Sequence, residues 1–509
     1  MLTHIKAAKC IGIDAVEVTV EIDIDSGVGI HLVGLADAAV KESLLRTTTA
    51  LMSSGFRIPG RKIVINLAPA DMKKNGSGYD LPIAIGIIAA SGQKVFPDAG
   101  SFLIMGELGL DGSVRHIPGA LVYAEFAARN GFGGIILPLE AAAEAAEIDG
   151  IRVYGVRSLD EVVAILEHAE GSSALELRSS GRSRDARPPR PEVDFSEIIG
   201  QNGAKRGLEI AAAGGHNMIM IGPPGSGKTS LAKALTGLLP PMSRSEALVT
   251  GKIYSVAGKA GKGLEWRRPF RAPHCSASMA AIIGGGSGNG IIPGEVSLAS
   301  NGVLFLDEFG QIPRQVTEAL RGPMEDRKVT ISRMRSKIEF PASFMLVAAS
   351  NPCPCGYYGE GDRCSCSPYQ RAAYLSRLSG PIMDRMDIHV HVRPVPPGEI
   401  LHGSGGERSA DVAARVAAAR ELQRERFRSE GIMTNTEMNT EQIQRLSRME
   451  KDSLKLAGIL MERQQLSMRA YFRIIKVARS IADLAGSETI KEEHVLEAAS
   501  FRALDKLAL

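Results

Sequence analysis

The segment GPPGSGKTS, Gly222 to Ser230, constrains this chain more than any other stretch. It follows the apolar run MIMI and opens the helix-forming run TSLAKALTGLL. The pattern G-x-x-x-x-G-K-[ST] uses small residues so that backbone N–H groups turn inward around phosphates at a helix N-terminus. Gly222, Pro223, Pro224, Gly225, Ser226, Gly227, Lys228, Thr229 and Ser230 are therefore the expected ATP-binding set. Lys228 is placed against the β/γ oxygens and the Thr229 hydroxyl on Mg²⁺. Strand, loop and helix in that order belong to an α/β sheet with parallel strands.

Two further apolar runs end in polar groups. GVLFLDEF delivers Asp307 and Glu308 at the end of a buried strand, where a P-loop sheet places its ligand site. Asp307 is expected to hold the Mg²⁺ shell and Glu308 to orient the attacking water; the plain alternative is a pair of surface carboxylates after a core strand. FMLVAASNP ends at Asn351, a polar group suited to holding that water, although Ser-Asn after a strand is by itself only a turn signal.

The chain has 509 residues, and at roughly 150 residues per domain this allows about three domains. Residues 171–192, rich in Ser, Arg and Pro and without apolar periodicity, read as a linker. Before it, residues 1–170 carry strand-like AVEVTVEID and KIVINLAP and an amphipathic helix, ALVYAEFAARNGF, ended by Gly131, which gives an N-terminal α/β domain. Residues 193–397 form the nucleotide-binding αβα module. From 398 to 509 helical spacing takes over, in segments 407–430, 440–464, 467–485 and 491–502.

Charge barely constrains the partner, since 60 basic residues face 57 acidic ones, so nucleic-acid binding must come from local patches. The N-terminus turns acidic early instead of building an export signal. No apolar run reaches the roughly 18 residues of a membrane helix. A soluble cytoplasmic chain with no membrane partner is the expectation. Four of the six cysteines, Cys353, Cys355, Cys364 and Cys366, fall in two C-x-C pairs. That spacing suits four thiolates around one structural Zn²⁺, with free thiols or a disulfide as the alternative.

Several stretches together resemble the ComM/YifB family of magnesium-chelatase-like AAA+ ATPases: VGLADAAVKES, INLAPADMKKNGSGYDLPIAIGI, FRAPHCSAS, PGEVSLASNGVLFLDE, AASNPCPCG, RLSGPIMDRMDIHV and LSMRAYFRIIKVARSIADLAG. They cover nearly the whole chain outside the linker. The resemblance implies an AAA+ P-loop αβα module with β-hairpin insertions and a C-terminal helical lid. It also implies that Asn351 is sensor 1, Arg385 in MDRMD an arginine finger and Arg469 in LSMRAYFR sensor 2. A finger acts on a neighbour's γ-phosphate, so a homo-oligomeric ring, hexameric by resemblance, follows. Arg385 paired with Asp384 or Asp387, and Arg469 as an exposed helix charge, are the plain alternatives.

Two insertions resemble those that such modules point into a ring channel. One, at about 255–298, carries RRPFRAPH, with Arg267, Arg268 and Arg271, and the glycine-rich IIGGGSGNGIIPGE. The other, KVTISRMRSKIEFPA, alternates as a hairpin and brings Arg333, Arg335 and Lys337 together, where basic tips can grip DNA phosphates without reading bases; a solvated charged hairpin is the alternative. Where the family shows two histidines, this chain has His274 and Cys275.

The N-terminal region resembles a Lon-protease-like (S5-like) domain. The serine loop aligns to KNGSGYDLP with Gly78 near the nucleophile position, and the lysine position falls on Leu121, so no proteolytic dyad is expected, although Ser77 lies nearby. The family's activity suggests an ATP-driven motor on single-stranded or branched DNA, of the helicase type that migrates branches of recombination intermediates during natural transformation. The alternatives are a chelatase-type motor for metal insertion into a tetrapyrrole and an AAA+ protein remodeller.

Overall fold

The computed structural model describes residues 2–35, 37–168, 170–179, 191–261, 263–286, 291–333, 336–376, 380–396, 398 and 406–502. Period-two alternation makes half-buried strands of Thr3–Ile11, Asp14–Asp25 and Lys62–Ala68. They pair antiparallel so that Ile5, Val20 and Leu67 share one face, as do Ile22 and Ile65. The apolar helix Asp80–Ala90 lies on that face, and Gly86 allows the approach, since a Cβ there would stand 2.4 Å from Ile22 Cδ1. These strands belong to an eight-stranded sheet that continues through Phe102–Ile104, Gly134–Pro138 and Arg152–Val156.

The first residues of the stretch expected to be a linker, 171–192, join the N-terminal sheet. Glu176–Leu177 adds a short antiparallel strand to the edge of this sheet beside Val153 and Tyr154, and Leu175 and Leu177 pack on its core. A polar stretch becomes a strand here because the exposed edge supplies the missing hydrogen-bond partners. Residues 180–190 lie outside the described residues.

A second sheet is wholly parallel, in the order Phe270–Arg271, Val303–Leu306, Met345–Ser350, Met218–Ile221, Ile388–His391. MIMI, VLFL and MLVAAS are buried at every position, as expected for strands covered on both faces. Because they run parallel, their C-terminal ends place the P-loop, Asp307 and Asn351 along one edge.

Helices follow at Ser409–Arg426, Thr440–Leu446, Lys451–Arg463, Met468–Leu484 and Glu492–Ser500. The segment 440–464, which carries helical spacing, holds two helices. Arg448 between them is left-handed at φ 49°, and Met449 bridges Ile490, so a tertiary contact overrides local helical spacing. Ile474, Ile481 and Val495 share one core with Met218 and Val390, which fixes these helices on the parallel sheet. No helix among the described residues is long and apolar enough to cross a membrane.

The two α/β units meet along the helix Arg244–Val256, which starts with a Ser243/Glu246 capping box. It lies against the helix Ala120–Arg129, with Gly251 close enough that a Cβ would reach Leu121 Cδ2 at 2.9 Å. Lys252 pairs with Glu125 at 2.8 Å, Arg244 with Asp149 at 2.6 Å, and Ser255 donates to Glu144 at 3.0 Å.

Candidate nucleotide site and its surroundings

Gly225 and Gly227 adopt φ of 77° and 88°, which lets the loop curl before the helix Lys228–Leu235 begins. Gly222 is confined differently, because a Cβ there would meet the Val392 carbonyl oxygen at 2.1 Å. Lys228 is 8 % exposed and donates to the carbonyls of Gly222 and Pro223 at 2.8 Å each, with Asn351 Oδ1 at 3.4 Å. Burial lowers its pKa, and the nearby Asp307 opposes that shift.

The Thr229 hydroxyl donates to Asp307 Oδ2 at 2.9 Å, and the Glu308 backbone N–H donates to Asp307 Oδ1 at 2.8 Å. Glu308 itself is left-handed at φ 50° and accepts from Cys275 Sγ at 3.5 Å. Partial burial and this carboxylate together raise the Cys275 thiol pKa. The P-loop, Asp307, Glu308 and Asn351 thus line one cleft of about 740 Å³, together with His274, Cys275, Lys233 and Phe270. Sequence reasoning missed Lys233 and Phe270. Phe270 is stacked on Phe305 of the neighbouring strand at 5.9 Å, and only the strand order brings it to the cleft.

Arg385 and Arg469 do not line this cleft. Arg385 is 4 % exposed, pairs with Glu325 and donates to the Pro381 carbonyl. Burial lowers its pKa against the pull of Glu325. Its carboxylate partner is neither Asp384 nor Asp387. Asp387 is fully buried and lies against Arg473 and His216; burial opposes its charge, but the Arg473 guanidinium, helped by the nearby His216, holds it well below the usual carboxylate range. Arg469 lies 3.8 Å from the same Glu325 carboxylate, with its side chain 63 % exposed.

The basic candidates divide. Arg268 grips Glu246 at 2.8 Å and the carbonyls of Pro240 and Asn301, and Arg271 makes a fork to Glu295 at 2.6 and 2.7 Å. Both hold the base of the first insertion together through charge-assisted bonds instead of presenting free cations. Arg267 reaches Thr236 at 3.5 Å. The second insertion is a two-stranded hairpin, Lys328–Arg333 and Ser336–Pro341, with Arg333 opposite Ser336. Lys337 is 69 % exposed and 3.4 Å from Glu339; Arg335 lies outside the described residues.

Cys353, Cys355, Cys364 and Cys366 place all four sulfurs within 4.8 Å of one another. The backbone N–H of Tyr357 lowers the Cys355 thiol to about 6. In the N-terminal unit the Ser77 hydroxyl donates to Glu107, Lys74 is tied to the Pro69 carbonyl, and Leu121 is buried beneath Gly251.

Three family models match the chain: magnesium chelatase subunit ChlI over residues 194–400, subunit ChlI of Mg-chelatase over 20–141, and the ChlI C-terminal region over 406–502. The chain is 42 % identical over 512 residues to the competence protein ComM of Haemophilus influenzae, covering 99 % of this chain and 98 % of that one. It is 43 % identical over 513 residues to YifB of Escherichia coli K12, covering 100 % and 98 %. A partial likeness, 24 % over 343 residues, extends to the maternal DNA replication licensing factor mcm6 of Xenopus tropicalis, covering 61 % of this chain and 36 % of that one.

Proposed function

Because the chain belongs to the ComM/YifB family of magnesium-chelatase-like AAA+ ATPases, we propose that it is an ATP-driven ring motor on DNA, migrating branches of recombination intermediates. The observation that carries this reading is the convergence of Lys228, Thr229, Asp307, Glu308 and Asn351 on one cleft from three strand ends. A competence protein and a DNA replication licensing factor among the relatives support DNA as the substrate, and natural transformation as its setting.

In this reading the P-loop backbone and Lys228 bind the phosphates. Thr229 and Asp307, 2.9 Å apart, are the oxygen donors that would hold Mg²⁺, a hard cation that neutralises phosphate charge. Glu308 orients the attacking water, and Asn351 keeps it near the γ-phosphate. Arg385 is the finger offered to a neighbouring subunit and Arg469 the lid's sensor, which makes hydrolysis depend on a ring, taken as hexameric. The hairpin 328–341, with Arg333, Arg335 and Lys337, faces the channel and grips phosphates. Residues 1–170, with the edge strand Glu176–Leu177, serve as a Lon-like, non-proteolytic platform, the rest of 171–192 as a connection, 193–397 as the motor and 398–509 as its lid. Zinc in the four-cysteine cluster holds the loop after Asn351.

A labelled four-way junction tests this reading. ATP-dependent conversion of the junction to its arms, lost in Lys228→Ala, supports it; ATP hydrolysis without any conversion counts against it. The chelatase matches favour one second reading, a motor for metal insertion into a tetrapyrrole. Its mark is ATPase stimulation by porphyrin and not by DNA.

A further inference from the structure

The cysteine cage and the nucleotide cleft share a wall. Cys353 Sγ lies 3.4 Å from Cys355 Sγ and 3.8 Å from Cys364 Sγ, and Cys355 lies 3.7 Å from Cys364. Four thiolates arranged tetrahedrally about zinc at about 2.3 Å stand roughly 3.8 Å from one another, so the cage has the size of a zinc site. These separations exceed the ~2.05 Å of a disulfide.

Cys353 is fully buried and sits two positions after Asn351. The turn that carries it closes through the Gly356 N–H, which donates to the Cys353 carbonyl at 3.0 Å. Gly356 is left-handed at φ 89°, and its backbone lies so close to the P-loop that a Cβ would meet Pro224 Cδ at 2.8 Å and Asn351 Cγ at 3.8 Å. The turn therefore backs onto both a phosphate-binding residue and the strand-end asparagine that faces Lys228.

The far side of the cage is anchored to the same cleft. After Cys366, Ser367 opens the helix Pro368–Leu375 with a Ser367/Gln370 capping box. Tyr374 on this helix lies 3.2 Å from Ser350 Oγ, and its ring covers Gly310, where a Cβ would come within 2.7 Å. Gly310 follows Glu308 by two positions. The segment 353–366 is thus pinned at both ends to the elements that shape the γ-phosphate end of the cleft, and the cage joins those two ends.

We infer that the four-cysteine cage is a zinc site energetically coupled to the nucleotide cleft, so that zinc in the cage tightens nucleotide binding and bound nucleotide retains zinc. This rests on reading the cleft as the ATP site. The physical link is the Cys353–Gly356 turn: cross-linked to Cys364 and Cys366, it holds Pro224 and Asn351 in place, and the ordering cost otherwise met on nucleotide binding is already met. Linkage makes the effect reciprocal, with the same factor in both directions.

The test uses the full chain. Metal content is measured by mass spectrometry, the Kd for a fluorescent ADP analogue is measured before and after zinc removal by a chelator, and zinc affinity is measured by competition with a chromogenic chelator with and without ADP. One zinc per chain, a loss of ADP affinity on the order of tenfold on removal, recovery when zinc is returned, and a matching gain in zinc affinity with ADP are expected. Cys364→Ser with Cys366→Ser should lose the metal and show the weakened Kd; the wild-type removal and return does not depend on that variant folding. A reduced chain that takes up no zinc overturns the inference, as does a zinc-loaded chain whose ADP affinity is unmoved by removal. A zinc-loaded chain that binds no nucleotide removes the ATP reading, and this inference with it.

Discussion

Arg385 and Arg469 converge on one carboxylate: Arg385 pairs with Glu325 from a nearly buried position, and Arg469 lies 3.8 Å from the same Oε1 atom. The segment proposed to reach a neighbour's nucleotide is thereby tied to the C-terminal helix Met468–Leu484. Arg473, one turn on, strengthens the tie by donating to the Arg385 carbonyl at 3.2 Å while pairing with Asp387. Neither arginine lines the cleft of its own chain.

Arg385→Ala should therefore lower hydrolysis by about 10³-fold, within the range known for arginine fingers, and leave ATP binding largely intact. Mixing Arg385→Ala chains with Lys228→Ala chains should restore part of the activity, because intact pockets then meet intact fingers. ATPase assays on the separate and mixed variants check this. Normal turnover by Arg385→Ala, or no recovery on mixing, contradicts the trans role.

The carboxylates after Leu306 should separate by function. Asp307→Asn removes the carboxylate charge beside the Thr229 hydroxyl and should raise the Mg²⁺ concentration needed for half-maximal hydrolysis. Glu308→Gln should keep that requirement and the ATP affinity yet lose turnover by about 10²- to 10⁴-fold, the usual scale for a positioned base. A Mg²⁺ titration of both variants shows whether the two roles are distinct.

The interface between the α/β units should be pH-sensitive through Glu144. Burial pushes this carboxyl up to about 7, against hydrogen bonds from Ser255 and the Ala120 backbone. Glu192, Glu265, Arg267 and Arg268 share the cleft of about 480 Å³ that Glu144 lines, and Arg268 is occupied by Glu246. A carboxyl whose folded pKa is raised contributes its full stability below its unfolded pKa and loses it as pH rises through about 7. Melting temperature should thus fall between pH 6 and pH 8, and Glu144→Gln should flatten the slope. An unchanged slope in the variant removes Glu144 as its cause.

The hairpin 328–341 should carry a phosphate contact. Lys337→Glu should weaken DNA binding uniformly across sequences and reduce the slope of log K against log salt by about one or slightly more. Fluorescence anisotropy over a salt series measures it, with the P-loop ATPase rate in the absence of DNA as the control. An unchanged slope moves the DNA contact elsewhere.

What the sequence made legible was chemistry written locally. The P-loop, the two carboxylates and Asn351 each end an apolar run, and a parallel sheet brings such ends to one edge without further information. The hairpin 328–341 was equally plain, because period-two alternation sets its pairing. Long-range partners were not legible. Nothing near Arg385 points to Glu325, and RRPFR reads as a basic patch until Glu246 and Glu295 fold onto Arg268 and Arg271. The split at Arg448 and the strand at Glu176–Leu177 likewise depend on elements distant in the chain. The departure at Cys275 was visible, but its donation to Glu308 appears only once two neighbouring strands are aligned.

The most direct test of a DNA motor is the ATPase rate of the full chain alone, with single-stranded DNA, with duplex and with a four-way junction, each at low and high salt. Stimulation by DNA, strongest with single-stranded or branched DNA and reduced by salt through counterion release, is the predicted result. Hydrolysis that is the same under all four conditions contradicts it.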